Sequence, residues 1–198
     1  MRDDVLGAAL VTTARRAIGT ALGRRNGRWP EHAALAAPGA TFVTLFRRDA
    51  LHGCIGTIKA HRPLGTDVRA NALAAAFRDP RSPALTKSEF DGLSVEVSLL
   101  SATERLRVAD ESELLARLVP GIDGVIIEYG DWRATFLPQV WATLPQPRDF
   151  LAELKLKAGM PIDFWSAEVN VFRYGVTKWK ERELVSTETQ AWQREVLQ

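Results

Sequence analysis

Apolar residues recur every three or four positions in several stretches of the chain, and this spacing predicts helices. The first helix follows Asp3 or Asp4, either of which can cap its first turn, and it ends near residues 19–23. The same spacing predicts helices over residues 63–78 and 147–158, and a short helix that begins after Asp110. We therefore expect helices to separate the other elements of the chain.

β-Branched and aromatic residues concentrate in other stretches, and these stretches predict strands. The predicted strands cover residues 41–46, 53–59, 94–101, 125–129, 132–137 and 167–179. Polar turns at residues 47–50 and 130–131 join two pairs of them into antiparallel hairpins. With helices in the longer gaps, the pattern predicts an α+β fold in which a mainly antiparallel sheet is flanked by helices.

The length and composition are those of an ordinary globular domain. The chain has 198 residues, of which 46% are hydrophobic and 25% are charged. We expect one domain over residues 1–185, with room for a smaller second lobe, followed by a polar C-terminal tail over residues 186–198.

The charge pattern argues against nucleic acid or a membrane as a partner. The formal net charge is +2, and the arginine pairs lack the interleaved aromatic residues of a strand-binding groove. No apolar run approaches the roughly 18 residues that span a bilayer, and the start of the chain lacks a signal-peptide core. We therefore expect a cytoplasmic protein that binds neither nucleic acid nor membranes.

Cys54 is the only cysteine in the chain, so it cannot form an internal disulfide. It lies in the run Leu-His-Gly-Cys-Ile-Gly of residues 51–56, where Gly53 and Gly56 leave its backbone with little side-chain cover. On the predicted strand Cys54 stands near the start, and an extended backbone puts His52 on the same face. The pattern allows an activated thiolate, and a small residue packed in a sheet is the alternative.

The three histidines do not predict a metal site. His32, His52 and His61 lack the spacing of helical ligand pairs, and one cysteine cannot build a thiolate site. Folding could still bring the three histidines together, and this alternative stays open. We predict no metal and no cofactor. For His52 we favour a position at the surface or in the hairpin over a role beside the thiol.

Six blocks, in order along the chain, resemble one protein family. They are residues 51–56, 71–81, 96–101, 121–124, 135–140 and 157–161. Together they are similar to the AMMECR domain family, whose prokaryotic members are named AmmeMemoRadiSam system protein A, over most of residues 1–180. The family hallmark reads Leu-Arg-Gly-Cys-Ile-Gly, so His52 replaces a permanent positive charge with a titratable ring. Ser82 replaces an aromatic residue that usually follows the second block.

The resemblance implies an α+β fold with a larger and a smaller lobe, in which the hallmark strand lines the cleft between them. The family is associated through its genes with a Memo-type protein and a radical S-adenosylmethionine protein. The resemblance therefore implies these two proteins as partners in a shared pathway or modification, but it brings no reaction with it.

The family-like blocks supply the candidate site residues, with Cys54 as the candidate catalytic residue. The candidate ligand-binding residues are those of the hallmark and the polar members of other blocks: His52, Gly53, Cys54, Gly56, Asn71, Asp79, Arg81, Glu96 and Gln139. Glu96 falls opposite Val95 and Val97 on its strand, which points it toward solvent or a cleft. A purely structural role, such as capping or holding a turn, is the alternative for each polar residue outside the hallmark.

Two functions of different classes are consistent with these residues. The first is a cytosolic protein that binds or modifies a small molecule or a peptide in a cleft displaying Cys54. The second is a non-catalytic adaptor that presents the cleft or a sheet edge to a partner protein, and a nucleic-acid binder is a less favoured third. If the first holds, the blocks around Asn71, Asp79 and Gln139 should converge on the hallmark strand.

Overall fold

The computed structural model describes residues 3–24 and 27–184, and the chain divides into two compact units. Of the described residues, unit 1 comprises those up to residue 100 together with residues 177–184, and unit 2 comprises residues 101–176. The tail predicted for residues 186–198 lies outside the described residues.

Each unit has one four-stranded sheet. Unit 1 contains α1 (Asp4–Ala21), α2 (Leu64–Phe77), β1 (Thr41–Arg47), β2 (Ala50–Gly56), β3 (Leu93–Leu100) and, apart from its first residue, β8 (Val176–Lys180), with strand order β2-β1-β3-β8. Unit 2 contains β4 (Glu104–Leu106), α3 (Glu111–Arg117), β5 (Gly124–Tyr129), β6 (Trp132–Phe136), α4 (Pro147–Ala158) and β7 (Asn170–Tyr174), with strand order β4-β7-β5-β6.

The predicted α+β fold is confirmed, but its strands form two antiparallel sheets rather than one. The single long strand predicted at residues 167–179 is wrong, because β7 ends at Tyr174 and β8 begins in the other sheet at Val176. Between them Gly175 exchanges hydrogen bonds with Ser101. The N–H of Ser101 donates to the Gly175 carbonyl, and the N–H of Gly175 donates to Oγ of Ser101, both at 2.9 Å. These bonds separate the pairing of β7 from that of β8.

The predicted hairpin of β1 and β2 is confirmed. Arg48 and Asp49 form its turn with φ values of 49° and 65°, as a two-residue turn that matches the strand twist requires. Because β2 begins at Ala50, Cys54 lies toward the end of the strand, and the prediction that it lies near the start is wrong.

A β-bulge interrupts β2 at His52. The strand pairing joins Leu45 to Gly53 but Phe46 to Leu51, so His52 is an extra residue without a partner on β1. In a regular strand, residues two apart point to the same face. The bulge interrupts this alternation between His52 and Cys54, so their spacing does not fix the direction of the His52 side chain.

One face of the unit 1 sheet packs on α1 and α2. Val43, Leu45 and Val95 are fully buried on this face. At Gly53 the strand touches α2 directly, because a β-carbon placed there would collide with the carbonyl oxygen of Ala75. The absence of a side chain at Gly53 therefore sets the distance between β2 and the helix.

Replacing Gly53 with alanine should lower the free energy of unfolding by about 1–3 kcal/mol, because the added methyl group must push β2 away from α2. Urea unfolding followed by circular dichroism measures the change. Gly92→Ala is the matched control, since nothing lies within 4 Å of a β-carbon built at Gly92. The control should stay within about 1 kcal/mol of the wild type. Equal stability of the two variants would contradict the direct contact at Gly53.

The core of unit 2 lies between its sheet and α4. Phe150, Leu151 and Leu154 of α4 are fully buried, and the Trp141 ring stacks on that of Phe150 with centroids 3.7 Å apart. The predicted left-handed cap of α4 is confirmed by a φ of 85° at Gly159.

Candidate functional site

Cys54 lies on the face of the unit 1 sheet that points away from α1 and α2. It pairs with Thr44 of β1, and Thr44 pairs in turn with Glu96 of β3, so the three side chains share this face. The Sγ atom lies 3.1 Å from Oγ1 of Thr44. Lys178 of β8 reaches the same row, with Nζ 2.8 Å from Oε1 of Glu96. We call Cys54, Thr44, Glu96 and Lys178 the polar row.

Exposure differs along the polar row. Cys54 and Thr44 are partly exposed, whereas Glu96 is only 6% exposed. Glu96 therefore occupies the predicted face, but it is buried and its charge is balanced by Lys178. Because β2 is an edge strand, the thiol stands at the outer end of the row.

A carboxylate and a guanidinium hold the backbone of Cys54 at this edge. The N–H of Cys54 donates to Oδ2 of Asp79 at 2.8 Å, and Nη2 of Arg81 donates to the Cys54 carbonyl at 2.9 Å. Arg81 also binds Asp79 through two nitrogens, Nε to Oδ1 at 2.9 Å and Nη2 to Oδ2 at 2.6 Å. This arrangement, the Asp79–Arg81 clip, satisfies backbone groups that a neighbouring strand would otherwise bind.

The two clip residues stabilise each other's charge. The hydrogen bonds from Arg81 and from the Cys54 N–H hold the pKa of Asp79 well below its usual range, and Asp79 raises the pKa of Arg81. The side chain of Asp79 is 1% exposed, whereas that of Arg81 is 58% exposed. A fixed guanidinium therefore stands beside Cys54 with much of its surface open to solvent.

His52 is buried, with 5% of its surface exposed, so the expectation of a surface histidine is wrong. Its Nε2 is fully buried and has no hydrogen-bond partner among the described residues. His52 is the bulged residue of β2, so it has no partner on β1. The cation that contacts the Cys54 backbone is Arg81, not His52.

The two glycines around Cys54 serve packing rather than access. Gly53 lies against the backbone of α2, and a β-carbon at Gly56 would collide with the ring of Phe42 on β1. The absence of a side chain at each glycine therefore permits a close contact, with α2 at Gly53 and with Phe42 at Gly56.

Asn71 belongs to a buried network centred on Asp67. Its Nδ2 donates to Oδ2 of Asp67 and to the carbonyl of Thr41, both at 2.9 Å. Asp67 is fully buried and also accepts from the Thr41 N–H at 2.8 Å, from Oγ1 of Thr57 at 2.7 Å and from Nε of Arg62 at 2.8 Å. The network ties the start of β1 and the segment after β2 to α2. Asp67 was not among the predicted site residues, although it lies four residues before Asn71 in a predicted helix and therefore on the same face.

The predicted convergence on the hallmark strand can be followed residue by residue. Asp79 binds Cys54 itself, and Asn71 donates to Oγ1 of Thr57, the residue after β2, at 3.1 Å. Gln139 lies exposed in a short 3-10 turn of unit 2, Pro138–Ala142. A role for Gln139 in the site stays a prediction.

Two other properties of the described residues bear on function. Among them, no three histidine, cysteine, aspartate or glutamate side chains come together in a way that could hold a metal ion. In the same ranges, no helix has both the length and the apolar character needed to cross a bilayer.

The sequence matches the AMMECR1 family over residues 11–179. The Methanocaldococcus jannaschii protein MJ0810 is 40% identical over 139 residues, which are 67% of this chain and 67% of that protein. A protein of Methanothermobacter thermautotrophicus is 36% identical over 180 residues, which are 87% of this chain and 92% of that protein.

A solved structure has the same fold. The crystal structure of PH0010 from Pyrococcus horikoshii matches this chain with a TM-score of 0.78 and 32% sequence identity. The match covers 91% of this chain and 93% of PH0010, so the similarity extends over both units.

Proposed function

This chain belongs to the AMMECR1 family, and from that premise we propose that it binds a small molecule or a peptide at the polar row of unit 1. The thiol of Cys54 contacts the ligand, and the binding takes place in the cytoplasm. The hydroxyl of Thr44 and the charges of Glu96 and Lys178 supply polar partners along the same face.

The observation that carries this proposal is the way the fold holds Cys54. The buried carboxylate of Asp79 and the guanidinium of Arg81 bind its N–H and its carbonyl, while its thiol points to the face not used by the helices. A cysteine that only fills space in a sheet does not need its backbone fixed by charged side chains. Fixing a partly exposed thiol to this degree favours a contact with a ligand.

The surroundings of the thiol favour ligand contact over proton-transfer catalysis. Among the described residues, the hydrogen-bond partner of Sγ is the Thr44 hydroxyl, which is not a base. The carboxylate of the same row, Glu96, is bound to Lys178. The row therefore offers donors, acceptors and a nucleophilic sulfur to a polar ligand, without a base placed to activate the sulfur.

Alkylation tests the proposal directly, because Cys54 is the only thiol in the chain. Iodoacetamide should label the folded protein at one site, and the dialysable fraction of a cell lysate should slow that labelling. At a ligand concentration of about ten times Kd, the protection should be about tenfold. Mass spectrometry of the protein measures the rate.

Cys54→Ser gives the labelling background, and Asp131→Asn, in the exposed β5–β6 turn, gives a matched variant that should keep full protection. Lys178→Gln should weaken protection while leaving labelling of the free protein unchanged. A thiol that reacts only after the protein is unfolded would make Cys54 a packing residue and would contradict the proposal.

An adaptor function is the second candidate, and exposed apolar residues of unit 2 favour it. Ile122, Leu156 and Ile162 are each at least half exposed. On this alternative the chain works with a Memo-type protein and a radical S-adenosylmethionine protein. Co-elution of purified partner and chain in gel filtration would support it, provided that Ile122→Ser abolishes the co-elution and Cys54→Ser does not.

A further inference from the structure

Unit 2 contains an open groove of about 520 Å³ between α3, α4 and the segment after α4. Leu115, Ala152 and Ile162 form its apolar wall, and Arg148, Asp149 and Asp163 line it with charge. The proposed ligand site at Cys54 belongs to unit 1, so the groove is a separate feature of the chain.

A buried lysine holds the wall of the groove in place. Lys155 of α4 is 1% exposed, and its Nζ donates to Oε2 of Glu111 at 2.7 Å and to the carbonyl of Ile162 at 3.1 Å. The same ammonium therefore ties α4 to α3 and to the backbone of Ile162. The side chain of Ile162 is nevertheless 53% exposed, so an apolar surface is held in a fixed position without cover.

The charges of the groove have an acidic excess. Glu111 is balanced by Lys155, which leaves Asp149 and Asp163 against Arg148. All three of these are exposed, and within residues 3–24 and 27–184 none of them has an ion-pair partner. The groove therefore complements a segment with positive charge next to an apolar side chain.

Because the groove is open to solvent, it suits a protein segment better than a small molecule as its ligand. A small-molecule site usually buries 70–90% of its ligand, roughly, which needs enclosing walls. Here Ser112, Arg148, Asp149, Ile162 and Asp163 are all exposed, so a compact ligand would stay largely in water. An extended segment can instead lay one side chain on the wall and keep contact along the whole groove.

We propose that this groove docks an extended segment of a partner protein that places an apolar side chain on Ile162 and a lysine or arginine against Asp149 and Asp163. The inference goes beyond the ligand site at Cys54 and does not depend on it. The affinity expected for such a short segment is modest, since a small interface must offset the ordering of the peptide.

Two capped hexapeptides test the proposal: in one, leucine alternates with lysine, and in the other, leucine alternates with glutamate. Each is titrated into the 15N-labelled full chain and followed by nuclear magnetic resonance. The lysine peptide should shift the amide signals of residues 111–115, 148–152 and 162–163, and the glutamate peptide should not. The pair of substitutions Asp149→Asn and Asp163→Asn should weaken binding by about fivefold or more. Ile162→Ser should weaken it to a similar degree, and Asp131→Asn should leave it unchanged.

Equal binding of the two peptides, or shifts confined to other residues, would overturn the proposal. A change of the same amide signals with protein concentration, in the absence of peptide, would assign the groove to a second copy of this chain and would also overturn it. Alkylation of Cys54 should be unaffected by the Asp149→Asn and Asp163→Asn pair and by Ile162→Ser, so failure of the groove proposal is distinguishable from failure of the ligand site.

Discussion

Replacing Asp67 with asparagine should lower the free energy of unfolding by about 3–5 kcal/mol, because it breaks a buried charged network. Asp67 is fully buried and accepts hydrogen bonds from both the N–H and the hydroxyl of Thr41, from Thr57, from Arg62 and from Asn71. An asparagine side chain has one carbonyl oxygen, and its NH2 group would face these donors. At least one donor and the Arg62 charge would then lose their partner.

Urea unfolding of the two proteins at neutral pH measures the difference. Asp49→Asn is the control, since Asp49 also pairs with an arginine, Arg182, but its side chain is 81% exposed. The control should change stability by less than about 0.5 kcal/mol. A loss of less than 1 kcal/mol, roughly, in Asp67→Asn would show that the network contributes little to the fold.

Elements with strong local signals could be predicted from the sequence. The β1–β2 hairpin followed from two β-rich runs around a polar turn, and the end of α4 followed from a glycine in a left-handed cap position. The break at Gly175 could not be predicted, because it depends on bonds to Ser101, 74 residues away along the chain. The division into two sheets depends on that break. Local patterns therefore predicted the α+β class correctly, but they predicted one sheet where the structure has two.

The candidate site shows the same division between local and distant causes. The resemblance to a family placed Asp79, Arg81 and Glu96 among the candidates, and the structure gives each a specific contact. Lys178 was missed because no sequence pattern indicates the pairing of β8 with β3, which brings Lys178 to Glu96. His52 was expected at the surface, but it is buried and lies at a β-bulge. A bulge has no periodic pattern in the sequence, so it could not be predicted.

The clip also limits how the edge of the sheet can be used. An edge strand with free N–H and carbonyl groups invites pairing with another chain. At Cys54 both groups are occupied by Asp79 and Arg81, so a partner strand could pair there only after displacing the clip. The clip therefore orients the thiol and also protects the edge of the sheet from pairing with another strand. Both effects depend on the stability of the clip.

Asp79→Asn should lower the free energy of unfolding by about 2–4 kcal/mol at pH 7. This loss is smaller than that from breaking a fully buried ion pair, because the side chain of Arg81 is more than half exposed. The difference between wild type and variant should depend on pH. The pKa of Asp79 is lower in the folded protein than the ordinary value near 3.9 that it has when unfolded. Its contribution is therefore complete above about pH 5 and is lost as the pH falls toward the folded pKa. The two stability curves should run parallel from pH 5 to 8, roughly, and converge in acid.

Denaturant unfolding at several pH values measures these curves, and Asp91→Asn is the matched control. Asp91 binds Arg24 through two bonds of 2.6 Å and 2.7 Å, nearly the geometry of the clip, but its side chain is 73% exposed. Solvent screens such a pair, so the control should leave stability almost unchanged at every pH. Hydrogen exchange of the Cys54 amide should be faster in Asp79→Asn and unchanged in Asp91→Asn, because only the first weakens the acceptor of that amide. Equal exchange in both variants, with parallel stability curves down to the lowest pH, would show that the carboxylate does not hold Cys54 in place.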